Sequence, residues 1–288
     1  MAVFFKLAFY LRASVIWHFH ETARLNPRQR LKDVFKIRVL ARFCERFIAV
    51  GVGPFQSAIA RGVSPTRLIL VQNGVNVTRF RADYKRRLTT REELGIPAGV
   101  MAFLLLGWEP KRKGVDLFAM AVGNLGEEGR RNKVFFIVGG SETIKAIAEL
   151  PRDLLSDSRI RVISPRETFP ALLDAIDVFV SASRSEGFSY AMAEALAAGK
   201  LVLSSDIPGV REGFEGSPGF WLFSNEDWRM LMQLIQRSGE LSDDERSDLS
   251  RANVNYAAER LSLEAWTEKI GDVYRGMLAR YPLDRNQR

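Results

Sequence analysis

Residues 177–205 read DVFVSASRSEGFSYAMAEALAAGKLVLSS, and this stretch decides the fold. It begins with an apolar run at 177–182, continues with a helical pattern at 189–198 and ends with a second apolar run at 200–205. Continuously apolar runs are typical of parallel strands that helices cover on both faces. The stretch therefore predicts one strand–helix–strand unit of a doubly wound parallel sheet.

The same alternation of strand and helix patterns extends to both sides of this unit. Further strands are predicted at 14–20, 47–50, 68–71, 101–107, 133–139, 159–164 and 219–223, and further helices at 28–43, 54–62, 116–125, 141–149 and 168–176. From residue 225 to about residue 280 the pattern is helical. The predicted fold class is α/β, with a complete doubly wound parallel-sheet domain preceded by a fragment of about three strands.

A change in composition places the joint between these two units. Residues 80–100 are rich in Arg, Thr, Gly and Pro, which predicts a joint between about residues 73 and 91. We expect a partial Rossmann-like unit over 1–75, a complete Rossmann-like domain over 76–265, and a C-terminal helix over 266–288 that packs back on the first unit. Three interpretations of the short first unit stay open: a truly short unit, a misassigned start, or a partner chain that completes its sheet.

The charge of the chain narrows the list of its partners. The 42 Lys and Arg exceed the 34 Asp and Glu, so the formal net charge is +8 and the surface field favours anionic partners. The chain lacks the sequence patterns of known nucleic-acid-binding modules. We therefore expect no nucleic-acid partner.

Cysteine usage indicates the compartment. Cys44 is the only cysteine, which excludes an internal disulfide and favours a reducing cytoplasm. No CxxC motif or Cys/His cluster has the spacing of a metal site, so we expect neither a metal nor another cofactor. The apolar run at 1–11 is shorter than the roughly 20 residues of a spanning helix, and we expect it to be part of a docked helix.

Two glutamates stand out in the stretch that decides the fold. Glu186 follows the apolar run at 177–182, and open α/β sheets bind ligands at the carboxyl ends of their strands. Gly187 allows a close turn before the helix that begins near Ser189. The first turn of that helix presents free N–H groups and a partial positive charge, which suit a diphosphate.

Glu194 lies on this helix among Ala, Met and Leu. A carboxylate there is unfavourable unless it accepts hydrogen bonds, and the hydroxyl groups of a bound nucleotide would donate them. The alternative is that Glu194 faces solvent from a half-exposed helix.

Four ordered segments resemble one known family. Residues 183–212, SRSEGFSYAMAEALAAGKLVLSSDIPGVRE, are similar to the E-x7-E signature of the family 4 retaining glycosyltransferases of the GT-B fold. The segments at 47–80, 104–118 and 164–183 resemble the interdomain segment, the donor-phosphate loop and the segment before the signature. E-x7-E alone is a weak motif, whereas four segments in order are specific.

The resemblance implies a role for each matching residue. Glu194 would bind the ribose hydroxyls of a nucleotide-sugar donor, and Glu186 would contact the transferred sugar. Lys113 would neutralise the leaving phosphate, although one more solvated lysine is the alternative for it. The diphosphate would meet the backbone N–H groups of Phe188, Ser189 and Tyr190.

At one position the chain departs from the family. The residue after Gly107 is often an arginine in the family and is Trp108 here. Either Arg112 or another cation takes its place, or phosphate binding is weaker.

The histidines, His18 and His20, lie two residues apart on a predicted strand, so their side chains point the same way. They lack a third ligand with the spacing of a metal site, and for His18 a structural role in a hydrogen-bonded pair is the alternative. His20 ends the strand where the resembling enzymes carry a histidine near the donor sugar. The resemblance therefore implies a sugar-positioning or transition-state role for His20.

The segment 28–47 carries seven Arg and Lys against two acidic residues, interleaved with apolar side chains. It predicts either peripheral contact with the inner face of a membrane or a helix packed on the sheet with a solvated basic side.

The expected function is that of a cytoplasmic retaining glycosyltransferase that moves a sugar from a nucleotide-sugar donor to a glycan or lipid-linked acceptor. The alternative is a non-catalytic nucleotide-sugar-binding subunit that requires a partner chain.

Overall fold

The computed structural model describes residues 15–20, 34, 37, 39, 41–150, 154–165 and 168–279. Within these residues the strands are β1 Ile16–Phe19, β2 Arg46–Ala49, β3 Leu68–Leu70, β4 Met101–Leu106, β5 Lys133–Val138, β6 Ile160–Ile163, β7 Val178–Ser181, β8 Leu201–Asp206 and β9 Phe220–Ser224. Their positions agree with the strands predicted from the apolar runs.

The α-helices of the described residues are α1 Val52–Ala60, α2 Tyr84–Glu93, α3 Pro110–Lys113, α4 Val115–Gly123, α5 Gly126–Arg130, α6 Ser141–Ala148, α7 Phe169–Ala175, α8 Tyr190–Ala197, α9 Arg211–Phe214, α10 Trp228–Glu240, α11 Asp243–Arg260 and α12 Leu263–Leu278. Short 3-10 helices occupy Ala41–Phe43, Pro65–Arg67 and Val77–Phe80. Most of the helix predicted at 28–43 lies outside the described residues, as does half of the basic segment 28–47.

The larger sheet is parallel throughout, with the strand order β6-β5-β4-β7-β8-β9. The chain winds outward from β4 through β5 to β6, returns to the other side of β4 at β7, and winds outward again. The switch point therefore lies between β4 and β7, where open α/β sheets form a ligand crevice.

Helices cover both faces of this sheet, as its apolar strands predict. All six residues of β4 are buried. Its even-numbered residues Ala102, Leu104 and Leu106 belong to the core on one face, and Phe103 and Leu105 belong to the core on the other. This alternation follows from the two-residue period of a strand.

The smaller sheet is parallel, with the order β1-β2-β3. Phe47 is fully buried between Phe19 and the helix α1 on one face. On the other face Ile48 and Val71 pack against Ile270 of α12. These contacts join the last helix to the small sheet, whereas the domain boundaries at residues 75 and 265 stay a prediction.

The composition of residues 80–100 did not predict the helix α2. Asp83 caps this helix by accepting a hydrogen bond from the Arg86 backbone N–H at 3.0 Å. Three arginines of the segment bind the region around α7: Arg86 pairs with Asp174, Arg87 with Asp177, and the buried Arg91 donates to the Ala175 carbonyl. The segment predicted to be a joint is thus a helix held on the large domain by its arginines.

None of the helices in the described residues is long and apolar enough to cross a membrane.

Candidate functional site

The candidate site is built by two loops that leave adjacent strands at the switch point. The first loop follows β4 and leads into α3, and the second follows β7 and leads into α8. Because both strands end at the same edge of the sheet, the loops lie side by side. Arg184 of the second loop donates its backbone N–H to the Arg112 carbonyl of the first at 2.8 Å.

The residue Gly114 allows the two loops to approach closely. Its φ is +66°, and a Cβ at this position would lie 2.0 Å from the carbonyl oxygen of Ala182. Only glycine satisfies both the backbone conformation and the contact. The approach fixes the side chain of the preceding residue, Lys113, over the second loop.

Glu186 is the centre of a charged cluster. Its carboxylate is 9% exposed and accepts hydrogen bonds at 2.7 Å from the Lys113 ammonium and at 2.7 Å from the Ser183 hydroxyl. The Arg112 guanidinium lies 3.6 Å from its other oxygen and is also hydrogen-bonded to Glu109 at 2.6 and 2.7 Å. The structure thus brings together Lys113 and Glu186, and it places Arg112, the candidate substitute for the family arginine, beside them.

The first turn of α8 faces the same crevice. Ser189 occupies the N-cap position, is buried, and makes no capping hydrogen bond with its side chain. Within the part of the chain that the structure describes, no group accepts a hydrogen bond from the backbone N–H of Phe188 or of Ser189. Free N–H groups at a helix start are suited to bind an anion.

Glu194 lies one turn further along α8 and lines a cavity of about 360 Å³. Burial raises the pKa of its carboxyl group to about 7, and the charge of Arg79 opposes this increase. Among the described residues, none donates a hydrogen bond to this carboxylate. The side chain therefore faces a crevice and not bulk solvent.

The walls of this cavity are largely apolar. Besides Glu194 and Arg79, they include Phe80, Leu106, Trp108, Val138, Pro165, Phe169, Leu172, Tyr190 and Ala191. Trp108 is 49% exposed, and its ring lies 5.8 Å from the Lys113 ammonium. It thus connects the cavity to the charged cluster. An apolar cleft with a few polar groups is the usual form of a small-molecule site.

The small domain closes one side of the site at Gly187. A Cβ on Gly187 would lie 2.2 Å from the His20 carbonyl oxygen, and a Cβ on Gly51 would lie 2.4 Å from the Gly187 carbonyl oxygen. The sequence indicated that Gly187 allows a close turn before α8. The structure adds a second reason for glycine here, because any side chain would collide with the small domain.

The structure places the exposed His20 at the end of β1, with its ring stacked on that of His18 at 6.1 Å between centroids. Burial, followed by the proximity of His20, lowers the pKa of His18. Within the described residues, no group of three or more His, Cys, Asp or Glu side chains is placed to hold a metal ion. The roles predicted for all these site residues remain predictions.

Sequence reasoning missed two polar residues of the site. Ser183, which bonds to Glu186, carries no signal in the sequence beyond its position at the end of β7. Arg79 lies in the segment that resembles the interdomain region, and only the fold brings it to Glu194.

Comparison with known proteins agrees with this architecture. Residues 101–238 match the model of the family described as glycosyl transferases group 1. This match covers just under half of the chain and lies within the large sheet and its helices. The matched residues include Lys113, Glu186 and Glu194, so the match covers the charged cluster and one wall of the cavity.

Curated relatives that the chain resembles are named as glycosyltransferases. The chain is 24% identical over 223 residues to the D-inositol 3-phosphate glycosyltransferase of Corynebacterium aurimucosum, with 73% of this chain and 52% of the relative covered. It is 25% identical over 223 residues to the UDP-Gal:alpha-D-GlcNAc-diphosphoundecaprenol alpha-1,3-galactosyltransferase of Escherichia coli, with 75% and 56% covered. The chain thus matches just over half the length of these relatives.

A solved structure supports the fold. Anabaena HepE in complex with UDP superposes with a TM-score of 0.83 at 18% identity, covering 95% of this chain and 75% of HepE. The predicted GT-B architecture is confirmed.

Proposed function

We propose that this chain is a glycosyltransferase that binds a nucleotide-sugar donor in the crevice between β4 and β7. The observation that carries the proposal is Glu194, a carboxylate in a largely apolar cavity without a donor among the described residues. It lies about one turn after the free N–H groups of Phe188 and Ser189, which precede α8. A vicinal diol next to a diphosphate complements both features at once. A nucleoside diphosphate presents these two groups in that order.

The charged cluster is suited to the departure of the nucleoside diphosphate. Negative charge develops on the leaving phosphate as the bond to the sugar breaks. Lys113, held 2.7 Å from Glu186, supplies a fixed cation, and the first turn of α8 supplies N–H donors. Neither group needs to reorganise during the reaction, which is why we propose transfer without a metal.

For the transferred sugar we propose contacts with Glu186 and His20. The Glu186 carboxylate follows the carboxyl end of β7 and is held there by Lys113, Ser183 and Arg112. His20 is exposed beside Gly187 at the joint of the two domains. Retention of configuration is part of the proposal and rests on the family resemblance.

The class of substrate is proposed from the relatives. HepE was solved with UDP, and the Escherichia coli relative is named for UDP-Gal and a diphosphoundecaprenol acceptor. A Xanthomonas oryzae relative, 27% identical, is named for GDP-mannose and a diphosphopolyprenol acceptor. We propose a UDP- or GDP-sugar donor and a glycan or lipid-linked acceptor, reached at the membrane surface.

The proposal is tested by assays of donor hydrolysis and sugar transfer with UDP-, GDP- and ADP-sugars. Lys113→Gln is expected to lower turnover by about 10²-fold, as is typical when a stabilising donor of the transition state is removed. Lys111→Gln is the matched control in the same loop, since Lys111 is 82% exposed and contacts Asp116. Equal turnover in Lys113→Gln and Lys111→Gln would remove the role of Lys113.

The non-catalytic alternative is not favoured, because the matched relatives are named as transferases. Binding of a nucleoside diphosphate without turnover of any donor would support the non-catalytic alternative. Absence of both binding and turnover would refute both functions.

A further inference from the structure

A second pocket lies at the amino ends of the strands of the large sheet, opposite the carboxyl ends that form the candidate site. Its walls include Met101, Val178 and Leu201, which are the first residues of β4, β7 and β8. The candidate site lies at the carboxyl ends of β4 and β7. The two pockets are therefore separated by the length of the strands, and the second has no part in the proposed transfer.

Cations surround this second pocket. Arg87, Lys200 and Arg246 line it, and Asp177 is the only acidic side chain among its described lining residues. Asp177 is already paired with Arg87 at 2.7 Å. Within the described chain, no carboxylate lies within 4 Å of the Lys200 ammonium or of the Arg246 guanidinium.

Some of these cations stabilise the fold. Arg87, Arg91 and Lys200 donate to backbone carbonyls at the end of α7, where cations are favourable. This accounts for Arg87, which donates to the Asp174 and Ile176 carbonyls, and for Arg91, which also donates to the Pro97 and Val100 carbonyls. It accounts for Lys200 only in part, since its ammonium has one good contact, to the Ile176 carbonyl at 3.0 Å, and a longer one at 3.5 Å.

The cap of α7 does not explain Arg246, which enters the pocket from α11. One of its terminal nitrogens donates to the Gly239 carbonyl at 3.2 Å, while its Nε is buried and has no acceptor among the described residues. A buried N–H group without an acceptor is unfavourable by about 1–3 kcal/mol. Burial, followed by the charge of Arg246, lowers the pKa of the neighbouring Lys133, and the charge of Glu240 opposes this decrease only in part.

We propose that this pocket is a second anion site, in which Lys200 and Arg246 bind a phosphate-type oxyanion. An oxyanion would accept hydrogen bonds from the remaining Lys200 donors and from the Arg246 guanidinium, and it would offset the repulsion between the cations. The volume of about 210 Å³ is smaller than that of typical pockets for drug-sized ligands, which favours inorganic phosphate or a small phosphate monoester.

The test is thermal unfolding of the full chain in phosphate and in chloride at equal ionic strength. At about ten times the Kd, phosphate is expected to raise the Tm by roughly 2–4 °C more than chloride. Arg246→Gln and Lys200→Gln should lose this increment, while Arg251→Gln, which removes an exposed charge from the same helix, should keep it. Lys113→Gln should also keep it, which separates this pocket from the proposed donor site.

Two further arms complete the experiment. Arg246→Lys keeps the charge and is expected to keep part of the increment even if Arg246→Gln unfolds. Glycerol phosphate distinguishes a phosphate ester from free phosphate as the ligand. A larger increase in Tm than with inorganic phosphate identifies a phosphate ester, and a smaller increase identifies free phosphate. An equal phosphate increment in wild type and Arg246→Gln, or none beyond chloride in wild type, would overturn the proposal whether or not the chain transfers sugar.

Discussion

Glu194 places function and stability in opposition at a single residue. Its pKa rises from an ordinary 4.5 to about 7 because the carboxyl group is buried. Between these values the folded chain holds a proton that the unfolded chain has lost, so this residue lowers stability as the pH rises through that range. Above pH 7 the penalty is fully present.

Replacement of this carboxylate should therefore stabilise the protein. We expect Glu194→Gln to raise the free energy of unfolding by about 1–3 kcal/mol at pH 8, and by nearly nothing at pH 4.5. Urea denaturation at both pH values measures the difference, and Glu142→Gln on the exposed start of α6 is the control. A gain that does not change with pH would contradict the assignment of this pKa.

The same residue predicts a pH dependence of nucleotide binding. Ribose hydroxyls donate to the ionised carboxylate, so binding should lower its pKa and release up to one proton. We expect affinity for a nucleoside diphosphate to increase from pH 5.5 to pH 8, more in wild type than in Glu194→Gln. Calorimetry in two buffers of different ionisation enthalpy counts the protons, and identical counts for both proteins would contradict the prediction.

At this scale physical chemistry alone singled out Glu194, since a carboxylate among small apolar residues needs donors, but it left a solvent-facing side chain as the alternative. Glu186 and Lys113 entered the predicted site only through the family resemblance, and the ion pair between them was not predicted, because 73 residues separate them. Ser183 and Arg79 were not predicted. Serine and arginine are common in loops, and only the folded chain brings these two to the carboxylates.

At the scale of elements, the site depends on the contact between the loops after β4 and β7. Gly114→Ala should destabilise the chain by about 2–4 kcal/mol, because its Cβ would lie 2.0 Å from the Ala182 carbonyl oxygen at a φ of +66°. Gly126→Ala is a matched control: its φ is +68°, and its Cβ would meet nothing within 4 Å. The control should lose only about 1 kcal/mol.

Thermal unfolding of both variants measures the difference. We also expect Gly114→Ala to weaken nucleotide binding more than Gly126→Ala does, since Lys113 precedes the displaced backbone. Equal losses of stability in the two variants would show that the contact between the loops contributes nothing.

The strands and most helices could be predicted because the apolar runs and turn residues agree with the fold. The helix α2 could not, because its surface is almost wholly polar and its arginines resemble those of a linker. Arg86 pairs with Asp174 and Arg87 with Asp177, and each aspartate lies about 90 residues further along the chain. Periodicity does not detect a helix that is held by ion pairs.

At the scale of the whole molecule, the carboxyl ends of the two sheets face each other. The His20 carbonyl approaches Gly187, and the Gly53 backbone approaches Gly209, where a Cβ would lie 2.8 Å from the Gly53 nitrogen. These contacts place the His20 backbone beside Gly187. Interdomain approach of this kind leaves little trace in the sequence beyond the glycines themselves.

His20 tests this arrangement. Because its side chain is exposed, His20→Ala should change the free energy of unfolding by less than about 0.5 kcal/mol. Turnover of the preferred donor should fall by at least about 10-fold if the imidazole positions the sugar or stabilises the transition state. Near-normal turnover with unchanged stability would remove His20 from the mechanism.

The central claim is that Glu194 and the first turn of α8 hold a nucleoside diphosphate. Isothermal titration of UDP, GDP and ADP into wild type, Glu194→Ala and the control Glu142→Ala at pH 8 tests it most directly. We predict that one of these nucleotides binds wild type and Glu142→Ala with the same Kd and binds Glu194→Ala at least about 10-fold more weakly, as loss of two hydrogen bonds to a charged group implies. Equal affinity in all three proteins, or no binding of any nucleotide to wild type, would contradict the claim.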